Sequence, residues 1–393
     1  MRNESVAVLD IRSYEVTFLI GAKGVNGTFV FRGSKSENYE GYSSEGFLDE
    51  ASFRRAVISA VTSVRQSYEG TIREIYVGAP AAFTQVYTKG HTISFPSRRK
   101  ITSQETDALY DSGLADLLAP GRFVRRSDMY FALGDNRKYF DASDLYGIPT
   151  ASLKGALCYY FVSDAFSEAV DSVLKELGFE KVEIIPQSLA QAYYLLPEKT
   201  REGYAFFLDV GFLSTSVSVV YGNGIVHEES FDCGAGYILV SLMRELGVDY
   251  ETAEEILSSA NVSGGAVSKD LMWTDGSGAA YSVREINDII KYGLDELCES
   301  VDKFFEKYYR DKSTMGFAAN PISVTGEGIG LIRGAAEHIS KRLCRVTQIV
   351  CPDLPYYDKP VFSSRIAVLA TALGDRTKSG FFNRIFNIFG GKK

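Results

Sequence analysis

VAVLDIRSYEVTFLIG, residues 6–21, decides how the chain is read. Two apolar runs flank a short polar turn, the pattern of a β-hairpin, and Asp10 closes the first run. The unit recurs half a chain later as FFLDVGFLSTSVSVV, residues 206–220, with Asp209 in the matching place. Residues 27–33 can add a strand to the first hairpin, and residues 225–231 to the second. Such a repeat fits two related lobes. It also fits two unrelated hairpins, because Asp is common in turns.

Helical patterns and short strands fill the intervals. Phe53, Val57, Ala60, Val61 and Val64 recur at helical spacing over residues 50–68, and Phe166, Ala169, Val170, Val173 and Leu174 do so over 164–177, with Gly178 as a stop. A long amphipathic helix is expected over 282–308, opened by Ser282 with Glu285 three residues on, the spacing of a capping box. Residues 72–80 and 181–186 read as buried strands. The alternation is that of an α/β chain. Two stretches look inserted. Residues 81–160 carry their own strands (92–95, 123–133, 157–162) and a helix opened by Thr102 with Glu105. Residues 245–311 place the one tryptophan, Trp273, in a Gly-rich loop.

The composition sets outer bounds. At 393 residues, 45% hydrophobic and 13% aromatic, the chain is a folded protein of several packed subdomains, which excludes wholesale disorder. A net charge of −8 argues against a nucleic-acid partner. The 5 cysteines form no CxxC pair and only 3 histidines exist, so neither a disulfide scaffold nor a Cys/His zinc site is expected. No run approaches the ~20 apolar residues of a membrane span, and Asp10 interrupts any signal-like stretch. The chain reads as cytosolic.

An Asp in a tight turn between strands suits phosphate chemistry: turn N–H groups can face a phosphate while the carboxylate holds a hydrated divalent cation. Asp10 and Asp209 are the candidate cation holders, each through water. Arg12, Ser13, Gly211, Ser214 and Thr215 complete the two turns. A third element, ISVTGEGIGLIRGAAEHI (residues 322–339), runs from a strand through Gly326, Glu327, Gly328 and Gly330 into a helix. Such a turn admits close approach of a ligand, or serves packing. The expectation is that Asp10 and Asp209 face one interlobe cleft with residues 326–330 along its side.

Taken in this order, the three elements resemble the two phosphate loops and the adenosine loop of the actin-like ATPase superfamily. The first insertion narrows the resemblance to the FtsA family of bacterial cell-division proteins. ITSQETDAL (101–109), SEAVDSVLKELGF (167–179), PQSLAQAYYLL (186–196), DCGAGYILVSL (232–242) and YETAEEIL (250–257) are similar to FtsA segments. The resemblance implies a two-lobed actin-like (ribonuclease-H-like) α/β fold with an FtsA-type subdomain inserted in the first lobe. The first lobe would comprise 1–80 and 161–200, its insertion 81–160, the second lobe 201–244 and 312–375, and its insertion 245–311. It implies ATP and Mg2+ as cofactors. The loops depart from the family pattern. Arg12 stands where a small residue is usual and Glu15 where a basic one is common. Phe212 and Leu213 replace glycines, Glu327 replaces a glycine, and Leu257 stands where a nucleotide-facing lysine is expected. Together these point to a weakened cleft and inefficient ATP turnover.

The last stretch, SGFFNRIFNIFGGKK (379–393), sets Phe381, Phe382, Ile385, Phe386, Ile388 and Phe389 on one side of a helix, with Arg384, Lys392 and Lys393 supplying positive charge. Aromatic bulk beside cations favours an interfacial helix on anionic membrane lipid over one packed on the body. Residues 376–378 would link it to the lobes. The resemblance implies an adaptor tethering FtsZ filaments to the inner face of the cell membrane at the division site. FtsZ would bind the 245–311 insertion, and self-association would raise avidity. The competing readings are an actin-like ATPase or phosphotransferase, and a pilus- or secretion-assembly adaptor.

Overall fold

The computed structural model describes residues 5–24, 28–263, 268, 270–309 and 320–375. The strand Val6–Ile11 is buried along its whole length. Its alternation explains why: Ala7, Leu9 and Ile11 point into one core, and Val6 and Val8 into another on the opposite face. A strand covered on both faces reads as a continuous apolar run.

The first sheet has five strands in the order Lys181–Pro186, Glu74–Ala79, Val6–Ile11, Glu15–Lys23, Phe29–Asn38. The hairpin strands pair antiparallel and the other two join parallel. The second sheet repeats this plan. Its order is Thr347–Ile349, Ile322–Thr325, Tyr204–Val210, Thr215–Tyr221, Gly224–Phe231, again with an antiparallel trio and two parallel additions. Asp10 and Asp209 are each the next-to-last residue of the first strand in their sheet. The shared strand order and shared Asp position make one unit used twice the better account of the two hairpins.

Helices cover the sheets. Phe53, Val57 and Val61 of the helix Glu50–Ser67, with Phe166, Val170 and Val173 of Asp164–Glu176, fill one side of the first sheet. Helix 363–375 fills the other through Val368 and Leu369. The helices Ala235–Leu246, Tyr250–Ser259 and Val283–Tyr309 cover one side of the second sheet. Helix Gln187–Leu195 lies between the sheets: Ala190 packs with the first sheet's strands and Ala192 with Ala205 and Phe207 of the second. The segment 84–162 forms a separate antiparallel sheet with strands Thr84–Lys100, Pro149–Val162, Arg122–Leu133 and Lys138–Tyr139 in that order. The strand expectations at 92–95 and 157–162 fall inside longer strands.

Thr102 and Glu105 form the reciprocal capping box expected of them, at the start of Ser103–Ala115. Ser282 and Glu285 form the serine half of theirs: Ser282 stands just before the helix Val283–Tyr309, and its Oγ accepts the Glu285 N–H at 3.5 Å. Pairing of Ala280–Ser282 with Met272–Thr274 holds its backbone extended, as an Ncap residue's is. The same pairing puts Trp273 on a strand and not in a loop.

Candidate functional site

The two aspartate turns meet where the sheets join, and the chain's own side chains fill the space between them. Arg12 follows the first hairpin strand and reaches across to the second. Its Nη1 and Nη2 donate to Asp209 Oδ2 and Oδ1, each at 2.7 Å, and its Nε donates to Glu327 Oε2 at 3.0 Å. Such a planar fork on a carboxylate is the strongest common side-chain pairing. Arg12 is 6% and Asp209 5% exposed. Burial opposes the charge on Arg12, but Asp209 and Glu327 outweigh it and hold the guanidinium more firmly protonated than usual.

Each aspartate also receives a glutamine from the helix between the sheets. Gln187 Nε2 donates to Asp10 Oδ1 at 2.9 Å and to the Ile11 carbonyl at 2.8 Å. Gln191, one turn later, donates to Asp209 Oδ2 at 2.9 Å. Ser364 Oγ donates to Asp10 Oδ1 as well. Burial raises the Asp10 pKa, and among the described residues Oδ2 of this fully buried carboxyl has no hydrogen-bond partner.

The remaining candidate residues close the turns on each other. Ser13 Oγ accepts the Leu213 N–H at 2.9 Å, and Glu327 Oε1 accepts the Phe212 N–H at 3.0 Å. The rings of Tyr14 and Phe212 lie 4.7 Å apart. Gly211 donates to the Ser214 carbonyl, Ser214 shares a hydrogen bond with Ser230, and Thr215 Oγ1 donates to the Cys233 carbonyl. Gly326 has φ 104°, and a Cβ there would lie 2.3 Å from Asp209 Oδ1 and from the Val210 carbonyl. This position admits only glycine. Gly328 packs against the Gly211 carbonyl. Leu257 is 1% exposed in the second lobe's core.

Residues 363–365 were not found by sequence reading, yet each touches a site segment. Ser363 accepts from Thr325 Oγ1 at 2.6 Å, Ser364 binds Asp10, and Arg365 Nη2 donates to Glu15 Oε1 at 2.8 Å. They lie roughly 350 positions from the first turn, and no local pattern signals the meeting. The glutamines had a weak signal, an i, i+4 pair on one helix face.

Two cavities flank this knot. One of about 20 Å³ lies among Arg12, Gln187, Gln191, Asp209 and Ser214, room for about one water. The other, about 80 Å³, lies among Gly234, Ile238, Leu294 and Gly328. Both fall far below the ~300–1,000 Å³ of small-molecule sites. Among the described residues no group of three or more His, Cys, Asp and Glu side chains is placed to hold a metal ion. In this arrangement the turns do not fit ATP: Arg12 fills the gap between them, forked on Asp209 and bonded to Glu327. The expected membrane residues Phe381, Phe382, Arg384, Ile385, Phe386, Ile388, Phe389, Lys392 and Lys393 lie outside the described residues. Among those described, no helix is long and apolar enough to cross a membrane.

Glu228 adds a titratable group behind the turns. It lies on the second sheet and accepts from Ser218 Oγ at 2.9 Å. Burial pushes its carboxyl up to about 7, against the Ser188 and Ser218 hydroxyls that favour the charged form. The native state therefore keeps a proton that the unfolded chain releases near 4.5. Stability should fall as pH rises from about 4.5 to 7, by about 3 kcal/mol from this group, and level off above. Glu228→Gln should flatten that slope in urea titrations run at several pH values. An unchanged slope would assign it to other groups.

No protein-family model and no curated protein sequence matches the chain. Its fold does match solved structures. A chain of the PilM–PilN type IV pilus biogenesis complex aligns with TM-score 0.61 and 13% identity over 94% of this chain and 99% of that one. The ethanolamine utilization protein EutJ from Carboxydothermus hydrogenoformans aligns with TM-score 0.54 and 12% identity, over 94% and 91%. MreB 5 of Spiroplasma citri bound to AMPPNP aligns with TM-score 0.54 and 12% identity, over 98% and 99%. The chain has the two-lobed α/β architecture of actin-like ATPase folds.

Proposed function

We propose that this protein is an adaptor with an actin-like body and little or no ATP turnover. It would tether filaments of FtsZ, the tubulin-like division protein, to the inner face of the cell membrane at the division site. The observation that carries the adaptor reading is the buried fork of Arg12 on Asp209, which stands where an ATPase would need open phosphate loops. The division assignment draws on the FtsA-like segments and the aromatic, basic stretch 379–393. Residues 245–311 would take the extended C-terminal peptide of FtsZ. Self-association would let many weak tails hold one membrane.

Glu285 and Glu299 are exposed on the long helix Val283–Tyr309. Reversing both to lysine should weaken binding of the FtsZ peptide about tenfold, or 1.4 kcal/mol, in fluorescence anisotropy. Stability should change by less than about 0.5 kcal/mol per surface site. A second reading, an adaptor in pilus assembly, is favoured by the likeness to the pilus biogenesis complex. No affinity for the FtsZ peptide at low salt would move the assignment there.

A further inference from the structure

The closed arrangement of the lobes is written into the chain at four separate places. Arg12, from the first lobe, pairs with Asp209 and Glu327 of the second. Ser13 Oγ accepts from Leu213, and Tyr14 packs on Phe212. Ser44 donates through its N–H and its Oγ to the two oxygens of Asp232, at 2.8 and 2.6 Å. Gly41 (φ 92°) sits where the first lobe's loop crosses both turns. A Cβ there would lie 2.3 Å from the Ser13 carbonyl and 2.6 Å from Leu213 Cδ1.

Arg12 is the only one of these groups that carries a buried positive charge. Its backbone is fixed, since Tyr39 Oη donates to its carbonyl at 2.7 Å. Its side chain stands between two carboxylates of the other lobe. A cation is what that place demands, because Asp209 and Glu327 brought together in a dry cleft would repel each other without one. An entering polyphosphate would have to break the fork and then face both carboxylates.

We propose that the Arg12 guanidinium is the resident cation of the interlobe cleft, holding the lobes closed with neither nucleotide nor metal bound. A ligand closes two lobes only through contacts it makes better in the closed state. Here the chain supplies those contacts, so closure does not depend on a ligand. The proposal goes beyond the adaptor reading, because it concerns the body alone: membrane and partner assays can fail while it stands, and the reverse.

The test uses the full-length protein, small-angle X-ray scattering and thermal melting, each with and without Mg2+-ATP. Wild type should show the same radius of gyration and the same melting temperature in both conditions. Arg12→Ala should expand in scattering and melt several degrees lower. Mg2+ alone should restore part of its melting temperature while leaving wild type unmoved, because the two exposed carboxylates would accept a cation. Arg12→Lys, which keeps the charge and loses the fork, should fall between, and it carries the comparison if Arg12→Ala does not fold. A rise of several degrees in wild type with Mg2+-ATP, or its contraction in scattering, would overturn the proposal. So would an Arg12→Ala protein as compact as wild type.

Discussion

Asp209→Ala is expected to destabilise the protein by about 3–5 kcal/mol, the usual cost of removing one partner from a buried ion pair. The aspartate accepts both arms of the Arg12 fork and the Gln191 amide. Without it, Arg12 keeps only the bond through Nε to Glu327, and two of its donors are left dry. Asp209→Asn, which keeps the volume and one acceptor oxygen, should lose less. The double variant Arg12→Met/Asp209→Ala should recover part of the loss, because the stranded charge is gone. Urea denaturation midpoints for the three variants check this order. An Asp209→Ala protein within about 0.5 kcal/mol of wild type would behave like an ordinary surface substitution, which a fork that holds the lobes together does not allow.

The second large effect concerns membrane attachment. Phe386→Asp should reduce co-sedimentation with anionic liposomes at least tenfold and leave the melting temperature unchanged. Phe386 is central among the six apolar residues of the sequence 379–393. Burying such a side chain fully is worth about 1.5–3 kcal/mol, and losing even half of that approaches a factor of ten. The aspartate adds repulsion from anionic lipid, against the attraction of about 1 kcal/mol that each nearby Lys or Arg supplies. A mutant that sediments like wild type would remove this stretch as the anchor. One that melts several degrees lower would show the stretch packed on the body instead.

The architecture was legible because its signals are local. The two Asp-containing hairpins announce themselves by alternating apolar runs, and Thr102 with Glu105 by spacing alone. The expected place of Asp10, Asp209 and Gly326 at one junction followed from order along the chain. What Arg12 does there did not follow. The sequence presents it as a side chain in the way of a phosphate, and only the folded chain shows it turned onto Asp209 and Glu327. Glu15 is similar: read as a charge hostile to phosphate, it is the partner of Arg365. Which cation meets which carboxylate is decided by tertiary packing over hundreds of residues, and no periodicity encodes it. Ser282 belongs with the local signals: it pairs with Met272 in a short strand and still accepts the Glu285 N–H at the start of the long helix.

The helix 363–375 has a consequence for how the protein is made. Its Ala367, Val368 and Leu369 seal the face of the first sheet that presents Val6, Val8 and Leu19. Every strand of the second sheet lies between residues 204 and 349, so that sheet is complete before this helix leaves the ribosome. At about 5–20 residues per second, the opening strand waits tens of seconds for its cover. The lobe that is synthesised first is therefore the last to be finished. In that interval its bare valines and leucine are the surface a holding chaperone would meet. A ribosome stalled before residue 363 would release a chain whose second sheet is whole and whose first sheet still adheres to its neighbours.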